Sequence, residues 1–199
     1  MKLPVITISR EYGSGGRAIG EKVAQALGIP FYDNDRISEL AKESGLADVY
    51  VKKAERMKAT SFLYGLYMNA TQQPTRDDLF ELQSKVIQKV ADEGPCVIVG
   101  RCADYILRDR KDLFSVFIHA PMEFRVRRAK TAYDVDADNM EAHVKKQDKE
   151  RANFYNHISD KKWGDANSFH FAMSSVYGID FSAVVLKHAA LHFLDNAPA

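Results

Sequence analysis

Val5-Ile6-Thr7-Ile8-Ser9-Arg10-Glu11-Tyr12-Gly13-Ser14-Gly15-Gly16-Arg17-Ala18-Ile19 is the stretch whose reading decides the fold. Val5 to Ile8 form a short apolar and β-branched run, the pattern of a central strand covered on both faces. Glycines follow at 13, 15 and 16, and Ile19, Val23, Ala26 and Leu27 then recur at helical spacing until Gly28 supplies a C-terminal stop. Strand, glycine loop and helix in that order predict backbone N–H groups gathered at a helix N-terminus, which is an anion cradle. Measured against GxxxxGK[ST], the loop departs at three positions: Glu11 holds the first glycine position, Arg17 the lysine and Ala18 the serine or threonine. Arg17 keeps a cation that can grip phosphate bidentately. Ala18 has no oxygen for Mg²⁺, and the residue before Gly100 is Val99, where a strand-end aspartate would have helped. Ser14 and Asp33, together with Glu11 and Asp104, are the remaining candidates to orient a metal. A glycine-rich turn without a ligand is the alternative reading of the loop taken alone.

Outward from this loop the alternation continues. Ile29 to Tyr32 predicts a second strand that delivers Asp33, followed by a helix carrying Ile37, Leu40 and Ala41 to about Gly45. From Asp48 to Arg76 the pattern loosens around Phe62, Tyr64, Tyr67 and Met68 and reads as a helical insertion; its aromatic cluster suits core packing or a dimer contact better than base stacking. Thr75 and Asp78 resemble a capping box ahead of the stripe Leu79, Leu82, Val86 and Val90. Cys96 to Val99 and Phe114 to Ile118 are the next strands, each with a helix after it, the second opening at Pro121. A charged helix is expected from about Ala137 to Arg151 and a fifth strand over Phe169 to Met173. Asp180 is expected to cap a last helix with Phe181, Val184, Val185, Ala189 and Leu191 on its buried side. Strands separated by helices imply a parallel sheet with helices on both faces, whose ligands bind beyond the C-terminal strand ends.

Composition narrows the function classes. The 199 residues fit one domain, 46% hydrophobic and 28% charged, inside the ordinary globular range. Twenty-eight Lys+Arg against 27 Asp+Glu leave a formal charge of +1, which argues against a dedicated nucleic-acid binder. No apolar run approaches a membrane span, and Met1 to Thr7 turns polar too soon for a signal peptide. Cys96 and Cys102 lack metal-ligand spacing, so a reduced, cytoplasmic protein is the expectation.

The loop, Phe31-Tyr32-Asp33, Val97-Ile98-Val99-Gly100-Arg101-Cys102-Ala103-Asp104, Ala120-Pro121-Met122-Glu123-Phe124-Arg125-Val126-Arg127-Arg128 and Asp148-Lys149-Glu150-Arg151 together resemble the cytidylate kinase-like family, a divergent branch of the P-loop nucleoside monophosphate kinases. The resemblance implies a three-layer P-loop fold of about five parallel strands, with a monophosphate-binding insertion near 46–75 and a lid near 129–168. It also implies transfer of the γ-phosphoryl of ATP, with Mg²⁺, to a (d)CMP-type acceptor. On that reading Gly13, Ser14, Gly15, Gly16, Arg17 and Ala18 hold the donor phosphates. Gly100-Arg101 looks like the Gly-Arg-Asp element that meets the monophosphate, with Cys102 in place of the Asp. Asp33, Arg101, Asp104, Arg125 and Asp148 fall to the acceptor. Arg17, Arg128 and Arg151 act on the transferring group, Asp148 and Arg151 resembling the Asp-x-x-Arg of a lid helix, and Asp33 orients acceptor or metal. The bland alternatives are a solvated face for Arg125, Arg127 and Arg128, and a structural role for His188 and His192. A non-catalytic nucleotide-binding module and a kinase for another small phosphate acceptor are the rival functions.

Overall fold

The computed structural model describes residues 3–43, 76–135 and 137–196. The insertion expected near 46–75 lies outside them. The elements run β1 (Val5–Arg10), α1 (Gly16–Leu27), β2 (Phe31–Tyr32), α2 (Asn34–Glu43), α3 (Arg76–Asp92), β3 (Val97–Val99), α4 (Ala103–Ile106) and β4 (Leu113–His119). They continue with α5 (Met122–Ala132), α6 (Met140–Ser159), a 3₁₀ turn (Ala166–Ser168), β5 (Phe171–Ser174) and α7 (Ile179–Asn196). The strands form one parallel sheet in the order β2-β3-β1-β4-β5. Parallel strands need crossovers, and the crossover helices cover both faces.

Side-chain alternation divides the core. Val5 and Ile98 face a layer with Ile37, Val86 and Ile87 from α2 and α3. Ile6, Ile8, Val97 and Val99 face Ile19 and Val23 of α1 and Leu186 of α7. Burial on both faces explains why β1 reads as a continuous apolar run instead of an alternating one. A third cluster, Cys102, Phe117, Tyr155 and Phe169, seats the C-terminal part of α6 on the sheet, with Trp163 edge-on to Phe117.

Several elements depart from the sequence expectation: β2 is only Phe31–Tyr32, and α7 starts at Ile179, which puts Asp180 inside its first turn and not at its cap. Helix α6 starts at Met140 and continues to Ser159, because Asn139 Oδ1 caps it by accepting from the Ala142 N–H at 2.9 Å and no breaker follows Arg151. Strand β5 begins at Phe171, since Phe169 turns into the third cluster and His170 Nδ1 accepts the Ser115 N–H at 3.0 Å. In α7 the buried face is Ser182, Ala183, Leu186 and Ala190, while Phe181 and Val184 are 56% and 54% exposed. That helix is apolar nearly all round, so periodicity could not choose its face; small residues at 183 and 190 sit against the sheet and α1 core. His188 turns its Nδ1 to the Val184 carbonyl of its own helix, 2.8 Å away. Among the described residues no helix is long and apolar enough to cross a membrane.

Candidate active site

β1 delivers the chain into the glycine loop, and the loop is braced from below. The Glu11 N–H still bonds the Ile118 carbonyl at 3.0 Å, and the Ser14 N–H and Oγ donate to the Glu11 carbonyl at 3.3 and 2.8 Å. Ser14 is fully buried, and its carbonyl accepts from Ser175 Oγ, on the turn after β5, at 2.6 Å. Gly13 and Gly15 are left-handed, with φ of 79° and 83°. A Cβ on Gly13 would lie 2.5 Å from the Arg125 carbonyl oxygen, and one on Gly16 2.8 Å from Arg10 Cβ, so the glycines are required by close approach as well as by φ.

Glu11 acts where a glycine normally stands. Its Oε2 accepts the Ala120 N–H at 3.0 Å and faces Arg125 Nε at 3.4 Å, tying the loop to the β4–α5 junction. Arg125 is buried and also pairs with Asp148, whose Oδ1 accepts the Tyr12 N–H at 2.7 Å. Loop, α5 and α6 thus meet on one buried ion pair. Asp104, 7% exposed, accepts from Ser9 Oγ at 3.3 Å and Tyr155 Oη at 2.7 Å, fastening α6 to the end of β1. Burial pushes its carboxyl above the ordinary value despite those hydrogen bonds, and pushes the Tyr155 phenol up as well.

The cations stand around this frame. Arg17 is half-exposed, with Nε and Nη2 on Asp33 Oδ2 at 2.8 and 2.7 Å. Partial burial works to raise Asp33, but the Arg36 N–H and the Arg17 guanidinium outweigh it and hold its pKa below the usual carboxylate value. Arg128 brings Nε to 3.1 Å from where a Gly15 Cβ would be, and that buried Nε has no hydrogen-bond partner among the described residues. Arg127, on the same helix, is exposed. Arg151 Nη1 donates to the Arg10 carbonyl at 3.0 Å, and its guanidinium lies over the Tyr12 ring at 5.3 Å. Loss of hydration lowers its pKa, against the pull of Asp148. Arg101 follows Gly100 in a turn where Gly100, Arg101 and Cys102 are all left-handed, φ 85°, 57° and 53°, closed by the Ala103 N–H on the Gly100 carbonyl at 3.1 Å. Non-glycine residues there cost roughly 1–2 kcal/mol each, strain of the kind that clusters at ligand sites. Burial pushes the Cys96 and Cys102 thiols up to about 12, which leaves neither as a thiolate nucleophile at neutral pH.

The oxygens named as metal candidates are engaged: Ser14 Oγ with Glu11, Asp33 with Arg17, Glu11 with Ala120 and Arg125, and Asp104 with Ser9 and Tyr155. Ala18 contributes none, and no group of three His, Cys, Asp or Glu among the described residues could hold a metal ion. The side chains present do not fit a directly ligated Mg²⁺.

Sequence reasoning passed over Arg10 and Ser175. Arg10 is the last residue of β1, and its guanidinium lies so close to Gly100 that a Cβ there would collide with Nη1. The signal was its place, a bulky cation at the end of a buried strand, where ligands of a parallel sheet bind.

The frame is that of the P-loop kinases. Similar solved structures include an uncharacterized protein from Eubacterium ventriosum, 25% identical over 97% of this chain and 99% of that one, with a TM-score of 0.72. A shikimate kinase from Bacteroides thetaiotaomicron is 14% identical over 94% of this chain and 97% of its own, and a gluconokinase from Sinorhizobium meliloti 15% identical over all of both, each with a TM-score of 0.55; these share the fold. No curated protein matches the chain. The model of the cytidylate kinase-like family matches residues 5–177, and the chain belongs to that family.

Proposed function

We propose that the protein is a nucleoside monophosphate kinase-type phosphotransferase that moves the γ-phosphoryl of ATP to a (d)CMP-type acceptor. The observation that carries this reading is the buried Nε of Arg128, set against Gly15 of the cradle and without a hydrogen-bond partner among the described residues. A cation with an unsatisfied donor at a phosphate loop is an incomplete structure until an anion arrives. The loop glycines and Ala18 hold the donor phosphates through backbone N–H groups, Ser14 serves the donor site by closing the loop on the Glu11 carbonyl, and Arg17 exchanges Asp33 for phosphate or bridges the two. Arg101 takes the acceptor phosphate. An acceptor phosphate oxygen attacks the γ-phosphorus, the bond to the β–γ bridging oxygen breaks and ADP leaves. Arg128 and Arg151 neutralise charge on the transferring oxygens, the main task a protein has in this chemistry. Asp33 orients the acceptor. Arg125, Asp148 and Asp104 contribute by positioning loop and α6, which lies in the lid region near 129–168.

A second reading, a nucleotide-binding module without turnover, is favoured by the Arg17–Asp33 pair and by the alanine and valine at the two metal-ligand positions. A coupled ADP-release screen over the common nucleoside monophosphates, with and without Mg²⁺, tests both. Turnover confined to CMP and dCMP supports the first reading, ATP binding without turnover supports the second, and turnover with a different phosphate acceptor retains the phosphotransferase and rejects the cytidylate.

A further inference from the structure

Arg10 stands outside the GxxxxGK[ST] pattern, yet its side chain runs through the centre of the site. Its Cβ lies against Gly16, at the start of α1, and its guanidinium lies over Gly100, at the end of β3. Two glycines without side chains make the channel for one arginine. Its carbonyl receives Arg151 from α6 at 3.0 Å, and Arg101 follows Gly100 directly, so three arginines from β1, the β3–α4 turn and α6 converge.

Among the described residues the Arg10 and Arg101 guanidinium groups make no hydrogen bond and no ion pair. Of the carboxylates near them, Asp33 is committed to Arg17 and Asp148 to Arg125, while Asp35 acts on Arg101 through space without a hydrogen bond to it. Loss of hydration first, and then the neighbouring charge of Arg151, disfavour the Arg10 cation; Tyr133 opposes them more than Arg101 adds to them, and Asp33 opposes least. An arginine kept for architecture spends its five donors on carbonyls and carboxylates, as Arg110 does with Asp112 and Asp92. An arginine of a solvated face keeps its water. Arg10 is half-buried and makes neither kind of bond among the described residues, and three converging cations, of which Arg10 and Arg101 have no hydrogen-bonded or ion-paired partner among those residues, are eased when an anion joins them.

We infer that Arg10, Arg101 and Arg151 form an oxyanion site for a tetrahedral phosphate group, distinct from the glycine cradle and built without a metal. The planar forks suit the bidentate geometry of a phosphate monoester. That the phosphate arriving there belongs to the acceptor rests on the phosphotransferase reading; the anion site itself does not. Arg10 is then the residue that makes up, with a resident cation, for part of the charge that Ala18 and Val99 cannot bring through a metal.

Inorganic phosphate titrated calorimetrically into the full chain, in EDTA and without nucleotide, tests this. Arg10→Met should weaken phosphate binding about tenfold or more, and the dependence on Arg10 should persist in an Arg17→Ala background, which separates this site from the cradle. In phosphate-free buffer the Met variant should melt at or above wild type, and phosphate should raise its melting temperature less. Equal phosphate affinities, or a lower melting temperature of Arg10→Met without phosphate, would overturn the inference. Arg10→Gln carries the same measurements if the Met variant does not fold, and failure of both to fold makes Arg10 architectural and overturns it as well. No turnover is involved, so a blank ADP-release screen with Arg10-dependent phosphate binding sinks only the kinase reading, and turnover without that dependence sinks only this one.

Discussion

The Arg125–Asp148 pair joins loop, α5 and α6, and Asp148→Ala is the perturbation that should expose this. Asp148 is 15% exposed and Arg125 8%, so both charges are largely desolvated. Removing the carboxylate strands Arg125 with Glu11 Oε2 at 3.4 Å and the Tyr12 carbonyl at 3.4 Å, and removes the acceptor of the Tyr12 N–H. Breaking a buried pair from one side costs about 3–5 kcal/mol, and the remaining Glu11 contact places this case near the lower bound, about 3 kcal/mol. For a chain of this size each kcal/mol moves the melting temperature by about 2–4 °C, so the fall should be about 6–12 °C. Asp148→Asn keeps an acceptor for Tyr12 and should fall less. Differential scanning calorimetry reads the shift, and amide hydrogen exchange should accelerate at Tyr12 to Gly15 before it does in β4. Asp148→Ala melting within about 2 °C of wild type would refute the reasoning, because an exposed ion pair is worth about 0–1 kcal/mol.

Arg17→Ala should weaken ATP binding by about 1.5–3 kcal/mol in calorimetry with the fold intact; equal affinities would take Arg17 out of the site. Arg151→Lys and then Arg151→Ala should lower kcat by about tenfold to thousandfold, with little change in the KM for ATP and a rise in the KM for the acceptor, as expected of a cation that borders the acceptor phosphate and is felt most in the transition state. For Asp104 the raised pKa means that the folded chain holds the carboxyl proton more tightly than the unfolded chain, so this group's stabilisation is lost as pH rises through its folded value. In urea unfolding wild type should therefore lose ground to Asp104→Asn as pH rises from about 4 towards neutrality, and a pH-independent difference would contradict the burial argument.

Much of the architecture was legible because it rests on short-range signals. β1 and the cradle are written in Val5 to Ile8 and in glycines whose left-handed φ or tight contacts permit nothing larger. The ends of α6 and β5 were less so, because they are set by partners far along the chain: Tyr155 by Asp104, Phe169 by Phe117, and His170 by Ser115. The face of α7 was illegible for another reason, since an apolar helix presents several equivalent stripes and only the neighbouring α1 selects one. At the site the arginines were visible as strand-end and helix-face cations, but their partners were not. Sequence spacing cannot tell that Arg125 is buried on Asp148 while Arg127 is exposed two residues on.

The departures from GxxxxGK[ST] make physical sense together. Glu11, at the position of the first glycine, supplies the carboxylate that reaches the Ala120 N–H and Arg125, so the loop is held to α5 by a side chain where a glycine would leave only backbone. That contact fixes Arg125, Arg125 fixes Asp148, and Asp148 takes the Tyr12 N–H, which returns the chain of contacts to the loop. The same helix α5 carries Arg128 to Gly15, and the same helix α6 carries Arg151 to the Arg10 carbonyl. A loop stiffened in this way positions arginines from both flanking helices with less freedom than a lid that must swing in from solvent, and preorganised charge of that kind is what phosphoryl transfer rewards. Substituting Glu11 by glycine, which would restore the pattern, should therefore loosen the Arg125–Asp148 frame and weaken phosphate binding instead of improving it.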